Sequence, residues 1–185
     1  MWMILVFLEC AFPHEIAETL EKLGIDPHVE VERNGRKVTL EREAVAEVTA
    51  RQFEWRIRYP GFGPDGKLLP LMPEPQPTDL YTVNDLHIPS GAPALIELKT
   101  QDVQHSFFVP ELRVKQDAVP GLVIPIWMQA DKSTAYSLTC AELCGGGHYK
   151  MKARVVAEPP AKFIEYLRKL HEEQFDDGFR SESAE

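Results

Sequence analysis

The chain of 185 residues carries 29 acidic and 20 basic side chains, which gives a formal net charge of −9 at pH 7. A hydrophobic fraction of 44% with 26% charged residues is ordinary for a globular protein and excludes wholesale disorder. The acid excess argues against nucleic acid or an anionic membrane surface as a partner and favours a basic partner. The longest apolar run, residues 2–12, is shorter than the roughly 20 residues of a spanning helix, so we expect no membrane-spanning segment here.

The first predicted elements lie in residues 1–43, which we expect to form an N-terminal extension. Ile16, Leu20 and Leu23 recur at helical spacing and predict a short amphipathic helix. An Asn-Gly dipeptide at positions 34–35 separates two short segments of alternating polarity, which indicates a hairpin.

Residues 44–158 have the pattern of a series of strands with turn signals between them. Apolar and charged side chains alternate over residues 53–59, as a half-buried strand requires, whereas the proline-rich residues 70–77 cannot hold a central strand. The candidate strands are residues 53–59, 80–83, 94–100, 119–128, 135–140 and 151–157. Trp127 and Met128, on one of them, are both expected to face the core. Many strands with little helix predict an all-β sandwich or barrel.

Residues 159–185 are expected to form a helix followed by an acidic tail. Two prolines open the helix, and an apolar stripe lines one face of it, made of Phe163, Tyr166, Leu167 and Leu170. After His171 the chain carries six acidic side chains and one arginine, so we expect a solvated tail from that point.

Residues 140–151 combine two thiols, an imidazole and a thioether, on Cys140, Cys144, His148 and Met151. Thiolate and thioether sulfur select soft cuprous ion, and imidazole suits copper in either oxidation state. The methionine discriminates between metals, because zinc takes thiolate, imidazole and carboxylate but hardly ever thioether. Three consecutive glycines allow the loop to wrap tightly. A further ligand is expected from elsewhere, and His105 is the best candidate.

The second cysteine of this loop leaves more than one interpretation open. A blue-copper centre uses one cysteine, two histidines and a weak axial methionine. A second cysteine either pairs as a disulfide or bridges a second metal ion, and a copper pair bridged by two sulfurs can share one unpaired electron. A zinc knuckle and a redox disulfide are the competing interpretations.

The pattern His…Cys-x-Glu-x-Cys-x-x-x-His-x-x-Met resembles the CuA site of cytochrome c oxidase subunit II. The likeness covers roughly residues 44–170, with supporting stretches at residues 52–55, 83–86, 102–110 and 115–121. It implies a cupredoxin-like Greek-key β-barrel or sandwich over residues 44–158. It further implies that Cys140 and Cys144 bridge two copper ions, and that His105 and His148 each ligate one.

The resemblance assigns roles to further residues. Met151 and the backbone carbonyl of Glu142 are the implied weak copper ligands, and the Glu142 carboxylate is implied to hold magnesium at the boundary with subunit I. Asp102 matches a position in the acidic patch that docks cytochrome c. The family motif for electron entry is Gln-Trp-x-Trp, in which Phe53 stands here at the first tryptophan and Trp55 at the second.

The implied function is that of the electron-entry subunit of a haem–copper cytochrome c oxidase. Electrons from cytochrome c would pass through the copper pair to haem in subunit I, with no bond-making chemistry on this chain. The implied location is the outer, periplasmic face of the bacterial inner membrane, with membrane association through the complex. The family normally carries two membrane helices before this domain, and this sequence offers no candidate for either.

Two alternatives remain beside this reading. One is the CuA domain of nitrous oxide reductase, although that family places a bulky aromatic residue where Glu142 stands. The other is a soluble CuA electron-transfer protein or copper carrier, which would suit a chain without membrane helices.

Overall fold

The computed structural model describes residues 44–175 and, before them, the backbone of β1 (His28–Arg33) and β2 (Arg36–Glu41). β1 and β2 pair antiparallel on either side of the Asn-Gly dipeptide that indicates a hairpin. The helix predicted around residues 16–23 and the acidic side chains beyond residue 175 lie outside the described residues. The boundaries of the three predicted segments stay a prediction.

Ten strands between residues 44 and 158 form two sheets. The first sheet contains β3 (Ala44–Arg51), β4 (Glu54–Tyr59), β5 (Leu80–Val83), β7 (Pro93–Thr100) and β10 (Ile124–Gln129). The second contains β6 (Asp85–Pro89), β8 (His105–Val109), β9 (Val114–Ala118), β11 (Ala135–Cys140) and β12 (Lys152–Glu158). Their orders are β10-β7-β3-β4-β5 and β6-β12-β11-β8-β9.

The chain passes repeatedly from one sheet to the other. β5 and β6, β7 and β8, and β9 and β10 are consecutive in sequence but lie in different sheets. β3 pairs parallel with β7, and β6 pairs parallel with β12, whereas the other pairs within the two sheets are antiparallel. These crossovers give the sandwich that the sequence predicts.

The core lies between the two sheets. Trp55 and Ile57 of β4 face Phe107 of β8 from the opposite sheet, and all three side chains are fully buried. Met128 is buried as expected, but Trp127 is 51% exposed, so the prediction that both face the core is wrong. Successive side chains of a strand point to opposite faces of its sheet, and only one of these two neighbours can therefore face inward.

The proline-rich loop, residues 60–79, is fixed to the outer face of the first sheet by a buried ion network. The Arg58 guanidinium lies 2.8 Å from Glu47 and 2.7 Å from Asp79, and it also donates to the Met72 carbonyl oxygen. The Lys99 ammonium group lies 2.9 Å from the Glu47 carboxylate as well. Burial raises the pKa of Glu47, but hydrogen bonds from Arg58 and Lys99 outweigh burial and hold it below its ordinary value.

The helix α1 (Pro160–Phe175) closes the described chain. It buries Phe163 and Leu167, and Phe163 packs edge to face on Tyr59 at a centroid distance of 6.1 Å. The helix continues through residue 175, so the expectation of a tail directly after His171 is wrong. The side-chain amide of Gln174 exchanges two hydrogen bonds with the backbone of Tyr81, which helps to hold this last turn.

Within the residues that the structure describes, no helix is both long enough and apolar enough to cross a membrane.

Candidate metal centre

The predicted ligands lie where several loops meet at one end of the sandwich. His105 is the first residue of β8 and Cys140 is the last residue of β11. These two strands are neighbours, with Cys140 opposite Phe107, and the Ala141 N–H continues the pairing by donating to the Ser106 carbonyl oxygen at 3.0 Å. The sheet therefore brings together side chains that are 35 positions apart in the sequence.

Five predicted side-chain ligands form one connected cluster. The Sγ atoms of Cys140 and Cys144 lie 3.8 Å apart. His105 Nδ1 lies 3.8 Å from the first sulfur, and His148 Nδ1 lies 3.6 Å from the second. The Met151 Sδ atom is 3.8 Å from Cys144 Sγ. Each thiol thus has its own imidazole, and the thioether lies next to one of the two.

The distances suit a metal centre better than a disulfide. Both thiols are free and buried, and 3.8 Å is far longer than the roughly 2.05 Å of an S–S bond. The Sγ–Sγ distance of 3.8 Å is also shorter than twice a metal–thiolate bond of about 2.3 Å, so one ion can contact both sulfurs. The ligand atoms of His105, Cys140 and Cys144 lie within 4.8 Å of one another. Two thiolates, two imidazoles and a thioether form a soft donor set that fits copper.

Glu142 presents two different groups to two different surroundings. Its backbone carbonyl oxygen lies 3.2 Å from Cys140 Sγ, inside the ligand cluster. The residue itself is exposed, which leaves its carboxylate at the surface. The two predicted roles of this residue therefore use separate atoms and do not compete.

The loop from residue 141 to residue 151 turns back on itself through a few backbone hydrogen bonds. The His148 N–H donates to the Gly145 carbonyl at 3.0 Å, and the Cys140 N–H donates to the Met151 carbonyl at 3.1 Å. Gly145 has a φ of +134°, a backbone conformation that residues with a Cβ atom rarely adopt. The turn returns Met151, which is almost fully buried, to the sulfur of Cys144.

Asp102 has an internal role that sequence reasoning missed. One carboxylate oxygen lies 2.8 Å from His105 Nε2, and the other accepts the Gln52 N–H at 2.7 Å. Burial raises the pKa of Asp102, but the hydrogen bonds from Gln52 and His105 together lower it by more. The pKa of this carboxyl group is therefore below its ordinary value. With Nε2 held by this carboxylate, Nδ1 of His105 is the nitrogen that faces Cys140. A carboxylate three positions before a ligand histidine was the available signal.

The two residues predicted for electron entry differ in exposure. The half-buried Phe53 ring lies so close to Gly147 that a Cβ built on this glycine would overlap it. Trp55 is fully buried, with its ring centroid 6.2 Å from that of His105 and 5.6 Å from that of Phe107. Trp55 therefore packs behind a predicted ligand and is not part of a docking surface.

The Cys144 thiol is protonated at neutral pH in the absence of metal. Burial, followed by the neighbouring Cys140 thiol, raises the pKa of Cys144 to about 11. A metal ion that binds here must displace thiol protons, as in other thiolate sites.

The chain matches a known family over most of its length. The family model for the periplasmic domain of cytochrome c oxidase subunit II matches residues 45–158. The alternative cytochrome c oxidase subunit 2 of Bradyrhizobium diazoefficiens is 35% identical over 147 residues, which cover 70% of this chain and 52% of that protein. Cytochrome c oxidase subunit 2 of Thermostichus vulcanus is 35% identical over 126 residues, with coverages of 68% and 33%. The chain thus spans about half or less of these relatives.

Solved structures share the fold. The periplasmic domain of subunit II of cytochrome oxidase from Bradyrhizobium japonicum gives a TM-score of 0.57 at 22% identity, covering 69% of this chain and 93% of that one. A second structure is a mixed disulfide intermediate between a thioredoxin-like protein and subunit II, with a TM-score of 0.54 at 21% identity and coverages of 80% and 99%. The predicted cupredoxin-like fold is confirmed, and the chain belongs to the cytochrome c oxidase subunit II family, within its periplasmic domain.

Proposed function

We propose that this chain is the electron-entry domain of a haem–copper cytochrome c oxidase and that it holds a two-copper CuA centre. The observation that carries the proposal is the pair of free, buried thiols 3.8 Å apart, each with an imidazole nitrogen within 3.8 Å of its sulfur. When bound, such a copper pair accepts and releases single electrons without bond-making chemistry.

In this proposal each ligand has a defined part. Cys140 and Cys144 would hold both ions, while His105 and His148 would each hold one. The Met151 sulfur and the Glu142 carbonyl oxygen, which lie 3.8 Å and 3.2 Å from the nearest thiol, act as weak ligands. The buried side chains behind the site exclude water, because His105 and its neighbour Trp55 are fully buried.

The proposed partners follow from the family. A haem-bearing subunit I receives the electrons, and a cytochrome c-like protein supplies them. The exposed Glu142 carboxylate holds magnesium together with ligands from subunit I, since magnesium commonly combines one or two carboxylates with ligands from elsewhere. The domain lies on the periplasmic face of the bacterial inner membrane and reaches the membrane through the complex.

We propose that the surface for a redox partner is more apolar than the sequence predicts. Asp102 is exposed, but both of its carboxylate oxygens already accept hydrogen bonds within the chain. Leu143 and Tyr149, in contrast, are 78% and 77% exposed on the ligand loop, and His148 between them is half-buried. We place partner contact on Leu143 and Tyr149, because apolar side chains at this edge bring a partner close to the more exposed imidazole. Docking through Phe53 and Asp102 stays a prediction.

A thioredoxin-like reductant is a further proposed partner, by analogy with the mixed disulfide described for the structural neighbour. Oxidation would join Cys140 and Cys144 in a disulfide that cannot ligate copper. A thiolate of the reductant attacks one of these sulfurs, forms a mixed disulfide and releases the other cysteine as a thiolate. The second thiolate of the reductant then attacks the first sulfur of the reductant and releases the remaining cysteine of this chain as a thiolate, so that two electrons reach this chain and the reductant leaves as the disulfide.

Copper titration with electron paramagnetic resonance tests the proposal. We expect two copper ions per chain and a seven-line hyperfine pattern from one electron shared over both. One ion with a four-line pattern would instead indicate a copper carrier, and a colourless protein that binds zinc would indicate a structural zinc module.

A further inference from the structure

Gln52, in the turn between β3 and β4, touches both parts of the ligand cluster. Its side-chain amide donates to the Cys144 carbonyl oxygen at 2.5 Å, across 92 positions of sequence. Its backbone N–H donates at 2.7 Å to the same Asp102 carboxylate that lies 2.8 Å from the His105 ring. One residue thus connects the cysteine loop with the histidine on β8.

The packing of the ligand loop against this turn leaves no spare room. A Cβ built on Gly145 would lie 2.7 Å from the Gln52 amide nitrogen and 3.2 Å from the Phe53 ring. A Cβ on Gly147 would overlap the Phe53 ring, whereas a Cβ on Gly146 would meet nothing within 4 Å. The loop therefore lies directly on residues 52–53 at its two outer glycines, and the amide of Gln52 is held in that contact.

We propose that Gln52 is a positioning residue for the metal centre: its amide fixes the Cys144 end of the loop while its backbone, through Asp102, fixes the His105 ring. The inference rests on the proposed copper site but concerns a residue that is not a ligand. Hydrogen bonds to the groups around metal ligands orient them, and their loss commonly weakens metal binding.

Few other contacts can hold the ligand loop in place of the Gln52 amide. The ligand loop has only a few internal backbone hydrogen bonds, and both Gly145 and Gly146 are exposed. A glycine-rich segment has high conformational freedom unless it is tied down. The bond from Gln52 to the Cys144 carbonyl acts next to one of the two thiols, so loosening it moves a sulfur relative to the histidine on β8.

Replacement of the amide tests this role. Gln52→Leu removes the donor but keeps the backbone N–H that binds Asp102, and Gln52→Glu keeps the length of the side chain but cannot donate when ionised. In the copper-free chain we expect faster hydrogen exchange at the amides of residues 144–151. In the copper-loaded chain we expect copper affinity about 10- to 100-fold lower and an altered hyperfine pattern.

Gln129→Leu is the matched control, because this exposed glutamine lies on β10 and its amide binds Asp131. Wild-type values for loop exchange, copper affinity and hyperfine pattern in both Gln52 variants would overturn the inference. Unfolding of both would also overturn it, because Gln52 would then be needed for folding rather than for positioning. Failure of the wild-type chain itself to bind two copper ions would refute the copper proposal instead.

Discussion

Two long connections of this fold are held in opposite ways. The proline-rich loop, residues 60–79, is fixed by Arg58, whose guanidinium has two carboxylates and a carbonyl oxygen around it. The ligand loop, residues 141–151, instead brings the Cys144 thiol and the Met151 thioether to Cys140 at the end of β11, where the sulfur atoms lie next to one another, two imidazoles and the Glu142 carbonyl oxygen. The buried charges that hold the first loop are neutralised by other side chains of the protein. The second loop brings soft donor atoms next to one another, an arrangement that a bound metal ion would complete.

The largest expected effect is the loss of the copper pair in Cys140→Ser. A hydroxyl is a poor ligand for soft copper, so we expect the two-copper absorption and the seven-line pattern to disappear. Cys10→Ser changes the third cysteine of the chain, which lies outside the ligand pattern, so this control should leave the copper count at two per chain. A two-copper spectrum in Cys140→Ser would contradict the bridging role of this sulfur.

The proline-rich loop should respond to Arg58→Met, with the copper site unchanged. This substitution removes the guanidinium from the buried Asp79 carboxylate and leaves Lys99 as the cation beside Glu47, which should lower the free energy of unfolding by about 3–5 kcal/mol in urea denaturation. Arg56→Met is a control on the same strand, because Arg56 is 46% exposed and its ion pair with Glu54 should contribute less than about 1 kcal/mol. Equal losses from both variants would show that the buried network does not hold the loop.

The ligand loop should respond to Gly147→Ala. The added methyl group overlaps the Phe53 ring, and overpacking of this kind should cost about 1–3 kcal/mol and reduce copper affinity. Gly146→Ala adds the same group in open space and should be tolerated. Recovery of copper affinity in the double variant Gly147→Ala with Phe53→Ala would identify the ring as the cause, and no recovery would point to the backbone.

The proposed partner contact at Leu143 and Tyr149 should weaken in the double variant Leu143→Ser with Tyr149→Ser. We expect the rate of reduction by a cytochrome c-like donor to fall about tenfold, equivalent to about 1.4 kcal/mol, with copper content unchanged. Val83→Ser, which changes a 50% exposed side chain on β5, is the control. A rate that depends steeply on salt but not on Leu143 and Tyr149 would indicate docking through charges instead.

The smallest expected effect is a dependence of stability on acid pH through Glu47. Its pKa in the folded chain is below the ordinary 4.5, so its stabilising contribution is present above pH 4.5 and is lost as the pH falls through the folded value. Urea denaturation of the wild type and of Glu47→Gln should therefore show stabilities that converge below pH 4.5. A constant difference down to pH 3 would rule out this residue as a source of acid sensitivity.

Local patterns predicted some strands well and missed others for a physical reason. β5 and β11 have the predicted bounds, whereas the candidate at 119–128 begins only at Ile124, because Gly121 turns the chain with a φ of +82°. β3, β6, β8 and β9 were not predicted. Most residues of β3, β6 and β8 are buried on both faces of the sheet, so their side chains lack the alternation that marks a half-exposed strand.

The sequence by itself determined the kind and spacing of the soft ligands, because Cys140, Cys144, His148 and Met151 lie within one short segment. It also indicated His105 as the best candidate for a further ligand, and the family resemblance implied the same role. Tertiary structure alone decided that the Asp102 carboxylate contacts the His105 ring, that Trp55 is buried behind His105, and that the Gln52 amide reaches the Cys144 carbonyl. The last two contacts join residues 50 or more positions apart, so they exist only once the two sheets pack together.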